Sequence, residues 1–265
     1  MTSLRERFER YERGYDFYLT PRLPIIVRVS FSNPKYIFLP ENPFTDTLGE
    51  IIGETFLSSI KEIEGARFGL FCGEEFNIIL LPSSHDTDLW LGNSLQKIIS
   101  FCSSLFSLHF NNLSLAEDLD WAGKIYFDSR AFVLPSFQEV VNYLIYRQHE
   151  GGKDFVFKAA KYILLKRYGI DSLKELSGAS TSRQHEILEE NDLSLDEFPS
   201  YFEKGIGCYK SLKLIKNDYG TTNKIKWGLD CNLSLIEDDP LFIRNILESG
   251  KDIFRSERDL LKRGS

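Results

Sequence analysis

The chain has 265 residues, 42% of them hydrophobic, enough to build one large domain or two smaller ones with real cores, and this excludes a disordered protein. Its four cysteines form no C-x-x-C pair and its four histidines none at i, i+4 spacing, which argues against a zinc site and fits a reducing compartment. The net charge of -7 is uneven: residues 40–90 carry ten acidic side chains against Lys61 and Arg67, whereas 204–226 holds six lysines against Asp218. Such asymmetry reads either as ordinary solvated surface or as an acidic part for a divalent cation joined to a basic part for phosphates.

No apolar run reaches the roughly 18 residues of a membrane span, and the charged start Met1–Arg10 lacks the apolar segment of a signal peptide. A cytoplasmic protein with no membrane partner is expected. In chain order, Ser3-Leu-Arg-Glu6 is a capping-box pattern opening a solvated helix over 3–15. From Pro24 to Ser32, Ile25, Val27, Val29 and Phe31 share one face while Ile26, Arg28, Ser30 and Ser32 share the other, which predicts a strand. A helix follows over 44–64, then strands near 67–72 and 75–82 around a Gly-Glu-Glu turn, a helix over 87–108 and a strand over 124–134.

That order, β-α-β-β-α-β, is ferredoxin-like. If the first strand is central and antiparallel to the third, Ser30 at its exit faces Glu74 and Glu75. Polymerase-type palms place their metals at this point, held by carboxylates of the first strand and the hairpin; the plain alternative for two acids at a hairpin tip is a solvated turn. After 135 the pattern turns helical, over 136–149, 153–168, 171–177 and 182–191. A short β region over 201–209, 211–216 and 222–229 comes next, then a helix over 239–247 and a charged tail over 250–265 expected to fray. The expected fold is α+β, with a palm-like domain over 20–135 and a helical plus small-β region over 136–265.

The hairpin Phe71–Pro82 resembles two palm families, the diguanylate cyclases and the tRNA-His guanylyltransferases. Downstream residues favour the second. Phe127-Asp-Ser-Arg-Ala-Phe-Val-Leu-Pro-Ser136 is similar to that family's F-D-[AGS]-R-x-x-x-x-P-[ST] pattern, and Asn142-Tyr-Leu-Ile-Tyr-Arg-Gln148 to its Y-L-x-W-R-Q helix. Leu176-Ser-Gly-Ala-Ser180 and Gln184-His-Glu-Ile-Leu188 are similar to L-x-G-[TA] and K-N-E-[IL]-L, and Tyr201-Phe-Glu-Lys-Gly205 to Y-[RK]-K-G. The resemblance implies 3′-to-5′ nucleotidyl transfer at the 5′ end of tRNA or a tRNA-like RNA, by a homo-oligomer (dimer or tetramer) that uses Mg²⁺ with GTP or ATP. It implies Glu74 and Glu75 as catalytic, metal-side carboxylates with Ser30 at the third metal position. Arg28, Arg130, Arg147, Arg183 and Lys204 fall at its nucleotide- or RNA-binding positions.

The departures are concentrated in the same places. The family's R-[IL]-D-G-[RS] strand is here Arg28-Val-Ser-Phe-Ser32, so a metal-ligating aspartate has become Ser30 and a glycine Phe31. Leu39-Pro-Glu-Asn42 stands for a basic residue followed by Pro-Asn-Asp, Gln184 for the lysine of K-N-E with Arg183 beside it, and Gly151-Gly-Lys-Asp-Phe155 for a polar H-I-N-N-x-Y segment. An alternative therefore stays open: a catalytically degenerate palm protein that binds RNA, a nucleotide or an active partner subunit. Arg28 can meet a phosphate or pair with a hairpin carboxylate, and Arg130 and Arg147 can contact phosphate or brace the palm against the helices.

Overall fold

A computed structural model describes residues 3–34, 37, 44–81, 90–217 and 220–249, with backbone alone for 213–217 and 220–223. Leu39–Asn42, His85 and the tail 250–265 lie outside the described residues. Six strands, β1 (Ile25–Phe31), β2 (Ala66–Cys72), β3 (Glu75–Leu80), β4 (Phe127–Val133), β5 (Ile206–Asn217) and β6 (Gly220–Asp230), form one sheet in the order β4-β1-β3-β2-β5-β6. Every neighbouring pair is antiparallel. The first four strands have the ferredoxin-like order, and the predicted small-β strands extend it through β2, which pairs Phe68 with Tyr209 and Phe71 with Ile206.

The period-2 alternation of β1 decides what each sheet face carries. Ile25, Val27, Val29 and Phe31 pack with Phe76, Ile78 and Leu80 of β3 under α2 (Asp46–Glu62) and α3 (Leu95–Ala116), which contribute Ile52, Phe56, Ile60, Cys102, Phe106 and Phe110. Phe76 sits at the middle of this layer, its ring 4.7 Å from Phe71 and 4.8 Å from Phe106. On the other face Ile26, Phe68, Leu70 and Ile79 are covered by Val140, Val141 and Leu144 of α4 (Phe137–Tyr168) and by Ile243, Ile246 and Leu247 of α7 (Pro240–Ser249). Arg28 and Ser30 share this second face, so the polar residues of β1 look toward α4.

Helix α4 continues for 32 residues where two helices, 136–149 and 153–168, were expected. Gly151 and Gly152 read as a break, yet the chain stays helical because the first of them touches the hairpin: a Cβ on Gly151 would lie 2.8 Å from Cys72 Cβ and 3.0 Å from Gly73 N. The second half of α4 packs Phe155, Ala159 and Ile163 against Ile187 and Leu188 of α5 (Thr181–Glu190) and Phe202 of α6 (Tyr201–Lys204). The expected strand at 201–209 is therefore corrected to a short helix followed by β5 from Ile206. The segment 170–176 is 3₁₀ rather than α-helical. Residues 90–93 form a turn with left-handed backbone at Leu91 and Gly92 before α3, which starts later and ends later than the expected 87–108. The N-terminal α1 (Leu4–Arg13) has the reciprocal Ser3/Glu6 cap its sequence predicts and buries no residue. No described helix is long and apolar enough to cross a membrane.

Candidate functional site

Gly73 and Glu74 form a two-residue turn between Cys72 and Glu75, which are cross-strand partners. Gly73 takes φ +64, the backbone a type II′ hairpin requires at its first central position. This turn presents Glu74 at the tip and Glu75 at the first position of β3, where Ser30 is its register partner on β1 and Asp128 lies beyond on β4. The Ser30 hydroxyl donates to Glu75 Oε1 at 3.3 Å. The topology thus brings together Ser30, Glu74 and Glu75, as the strand order expected from the sequence requires.

What stands around them comes from α4. The Arg147 guanidinium binds Glu75 Oε2, and Arg28 Nε lies 3.6 Å from Oε1 of the same carboxylate. Glu74 Oε1 receives the Lys158 ammonium at 2.8 Å, which also binds Asp154 at 2.6 Å. Arg147 and Lys158 side chains are only 11% and 10% exposed, so these pairs are largely removed from solvent. Burial acts to lower the Arg147 pKa, but the Glu75 carboxylate raises it above the ordinary arginine value. An open pocket of about 170 Å³ separates hairpin from helix, lined by Gly73, Glu74, Glu75, Arg147, Glu150, Gly151 and Asp154.

Buried polar groups fasten this arrangement. Asn77, fully buried on β3, donates to Leu70 O at 3.3 Å and accepts from Tyr143 OH of α4 at 2.6 Å. Gln148 is pinned on both ends, donating to Lys204 O and Ser234 O and accepting from Ile236 N. Cys72 Sγ donates to Arg147 O at 3.2 Å, and burial pushes its thiol up to about 12, so it stays protonated and inert.

The remaining expected binding residues separate into two groups. Arg130 is exposed on β4 and stands directly across from Arg28 on the same sheet face. Arg183 instead belongs to a surface cluster on α5, bound to Glu186 and Glu190 and 3.7 Å from Glu175. Lys204 ends α6, with its carbonyl held by Gln148. Sequence reasoning missed Lys158, Asp154 and Tyr143. Their signal was spacing: 143, 147, 151, 154 and 158 fall on one helical stripe, but only for a helix that runs through both glycines.

Whether a two-magnesium centre fits can be tested on this donor set. Magnesium needs octahedral oxygen ligands, and a two-metal site needs carboxylates whose charge is available to the ions. Here Glu75 is shared by two arginines, Glu74 shares a lysine with Asp154, and residue 30 offers a neutral hydroxyl that donates to Glu75. Among the described residues no group of three His, Cys, Asp or Glu side chains is disposed to hold a metal ion. The arrangement does not fit two magnesium ions.

No known family profile and no curated protein matches the chain. Solved structures do. A bacterial tRNA(His) guanylyltransferase (Thg1)-like protein in complex with ATP superposes with a TM-score of 0.75 at 26% identity, over 93% of this chain and 99% of that one. A bacterial protein of the same description in complex with GTP gives 0.71 at 23% identity, with the same coverage. The tRNA(His) guanylyltransferase of Saccharomyces cerevisiae gives 0.61 at 18% identity, over 86% and 98%. The six-stranded antiparallel palm and its helices are thus similar in fold, over most of the chain, to those of the tRNA(His) guanylyltransferase-like proteins.

Proposed function

We propose that the chain binds a nucleoside triphosphate, GTP or ATP, and a tRNA or tRNA-like RNA on the palm face that carries Arg28 and Arg130. The observation that carries this reading is the pairing of these two arginines directly across neighbouring strands. Glu75, 3.6 Å from Arg28 Nε, offsets one of these like charges, and the exposed Arg130 opposite it is left for a polyphosphate to meet. The fold of a relative that is in complex with ATP supports the same ligand class. Calorimetric titration with ATP and GTP is the test. Arg130→Ala, at an exposed position, is expected to weaken binding by about tenfold or more, the equivalent of one charge-assisted hydrogen bond. Failure of the native chain to bind either nucleotide would sink the reading.

A second reading, 3′-to-5′ nucleotide addition to an RNA 5′ end, is favoured by the two carboxylates kept together at the hairpin. Incorporation of labelled nucleotide into tRNA, lost in Glu74→Ala and Glu75→Ala, would establish it; binding without incorporation would leave the first reading alone. A cytoplasmic site of action is part of this proposal and is supported by the tRNA-type ligand it names. Assembly as a homo-oligomer is supported by α1, whose Leu4, Phe8 and Tyr11 are exposed at 67%, 55% and 60%.

A further inference from the structure

The hairpin carries two carboxylates that a palm of this kind would direct at divalent cations, yet cations of the chain itself already lie against them, Arg28 from the first strand and two more from α4. The Arg147 guanidinium binds Glu75 and the Lys158 ammonium binds Glu74 at 2.8 Å. We infer that α4 supplies built-in counter-cations in place of the metal ions, so that the site is closed to divalent cations and the palm face takes up polyphosphate without them. This deepens the proposed nucleotide-binding reading and rests on it for the identity of the anion.

Three features argue that the substitution is built rather than incidental. Both cations come from one helix, eleven residues apart, which places them on one face at two successive heights along the hairpin. Each is about nine-tenths shielded from solvent, where a carboxylate–cation contact is far less screened than on the surface. Asp154 also anchors the Lys158 ammonium at 2.6 Å, and the backbone at Arg147 is fixed to the hairpin by Cys72 Sγ donating to its carbonyl. The close approach needed for both contacts depends on Gly151, which sits between them against Cys72 and Gly73. At the first-strand position Ser30 completes the change, since its hydroxyl adds no charge to attract an ion. A divalent ion would have to displace a shielded ammonium or guanidinium from its carboxylate before it could bind.

The test is uptake of Mn²⁺, followed by loss of the free aqua-ion signal in electron paramagnetic resonance, for the native chain and for Lys158→Met and Lys158→Gln. The native chain is expected to leave the signal unchanged, and a folded variant to take up about one cation per chain as Glu74 and Asp154 become available. Native uptake that Glu74→Gln abolishes would overturn the inference, and so would no uptake by folded variants, because the ammonium would then not be what excludes the metal. ATP titrations with EDTA and with Mg²⁺ give an independent arm. Equal affinity supports the inference, whereas binding only with Mg²⁺ overturns it and leaves the nucleotide reading standing. No ATP binding in either condition removes that reading, and the Mn²⁺ result alone then decides whether α4 closes the site to metal.

Discussion

Glu75 is approached from three sides, by Arg147, Arg28 and the Ser30 hydroxyl. Among the described residues it is the carboxylate that lies within 4 Å of both Arg28 and Arg147, so removing it takes the nearest counter-charge from two guanidinium groups that are mostly shielded from solvent. Breaking a buried pair from one side typically destabilises by about 3–5 kcal/mol. Glu75→Ala is expected to lie near the lower end of that range, about 3 kcal/mol, because the side chain is still partly exposed. Urea denaturation would read this as a lower midpoint with unchanged slope; a change below about 0.5 kcal/mol would mean that the network is too solvated to matter. Much of this residue-scale picture was legible in the sequence. Alternation along β1 put Arg28 and Ser30 on one face, and the strand order put that face beside the hairpin. Which of its two open partners Arg28 takes was not legible, because the choice depends on a carboxylate 47 residues away in sequence and on the helix behind it.

At the scale of elements, α4 is where sequence and structure part. Glycine has poor helix propensity, so a Gly-Gly pair in a polar stretch reads as a loop when only local preferences are weighed. The packing reason for Gly151 is non-local, since it is the point at which helix meets hairpin. The two glycines are predicted to separate on substitution. Gly151→Ala forces a Cβ to 2.8 Å from Cys72 Cβ and is expected to destabilise by about 1–3 kcal/mol. Gly152→Ala meets nothing nearer than Glu203 O at 3.8 Å and is expected to stabilise by about 0.5–1 kcal/mol. Thermal melts of the two variants check this, and equal effects of the same sign would refute the packing account. The failed strand reading at Tyr201–Gly205 has a related origin. Tyr201 and Phe202 are apolar enough for a strand, but Gly205 at φ +86 ends a single helical turn that tucks Phe202 against Phe155 and Phe44.

For the whole molecule, the strands expected as a small β region prolong the palm sheet, so the basic segment belongs to the same sheet as the hairpin site. On β6, Lys224 and Lys226 are exposed on one face, and Lys213 is the register partner of Lys224. That is a second place where like-charged positions oppose each other across strands, and the proposed RNA is an anion long enough to reach it. RNA affinity is expected to fall with salt, and the Lys224→Gln/Lys226→Gln pair to reduce the slope of log K against log[salt] by about 1–2. Filter binding of tRNA over a salt series measures this; an unchanged slope would detach the β5–β6 hairpin from RNA. The charge asymmetry in the sequence was visible from the start, but its arrangement on one sheet depended on the β2–β5 pairing, which no local pattern announces.

Helix α4 is a single rod of 32 residues, so its angular phase is common to everything mounted on it. One inserted or deleted residue near its start would turn every later side chain by about 100° relative to the sheet. Arg147 and Lys158 would leave the hairpin together, and the same rotation would swing Ala159 and Ile163 away from α5. A length change within this rod would therefore disturb the site and the helical layer alike. Any loosening of the grip on the hairpin has to come one side chain at a time.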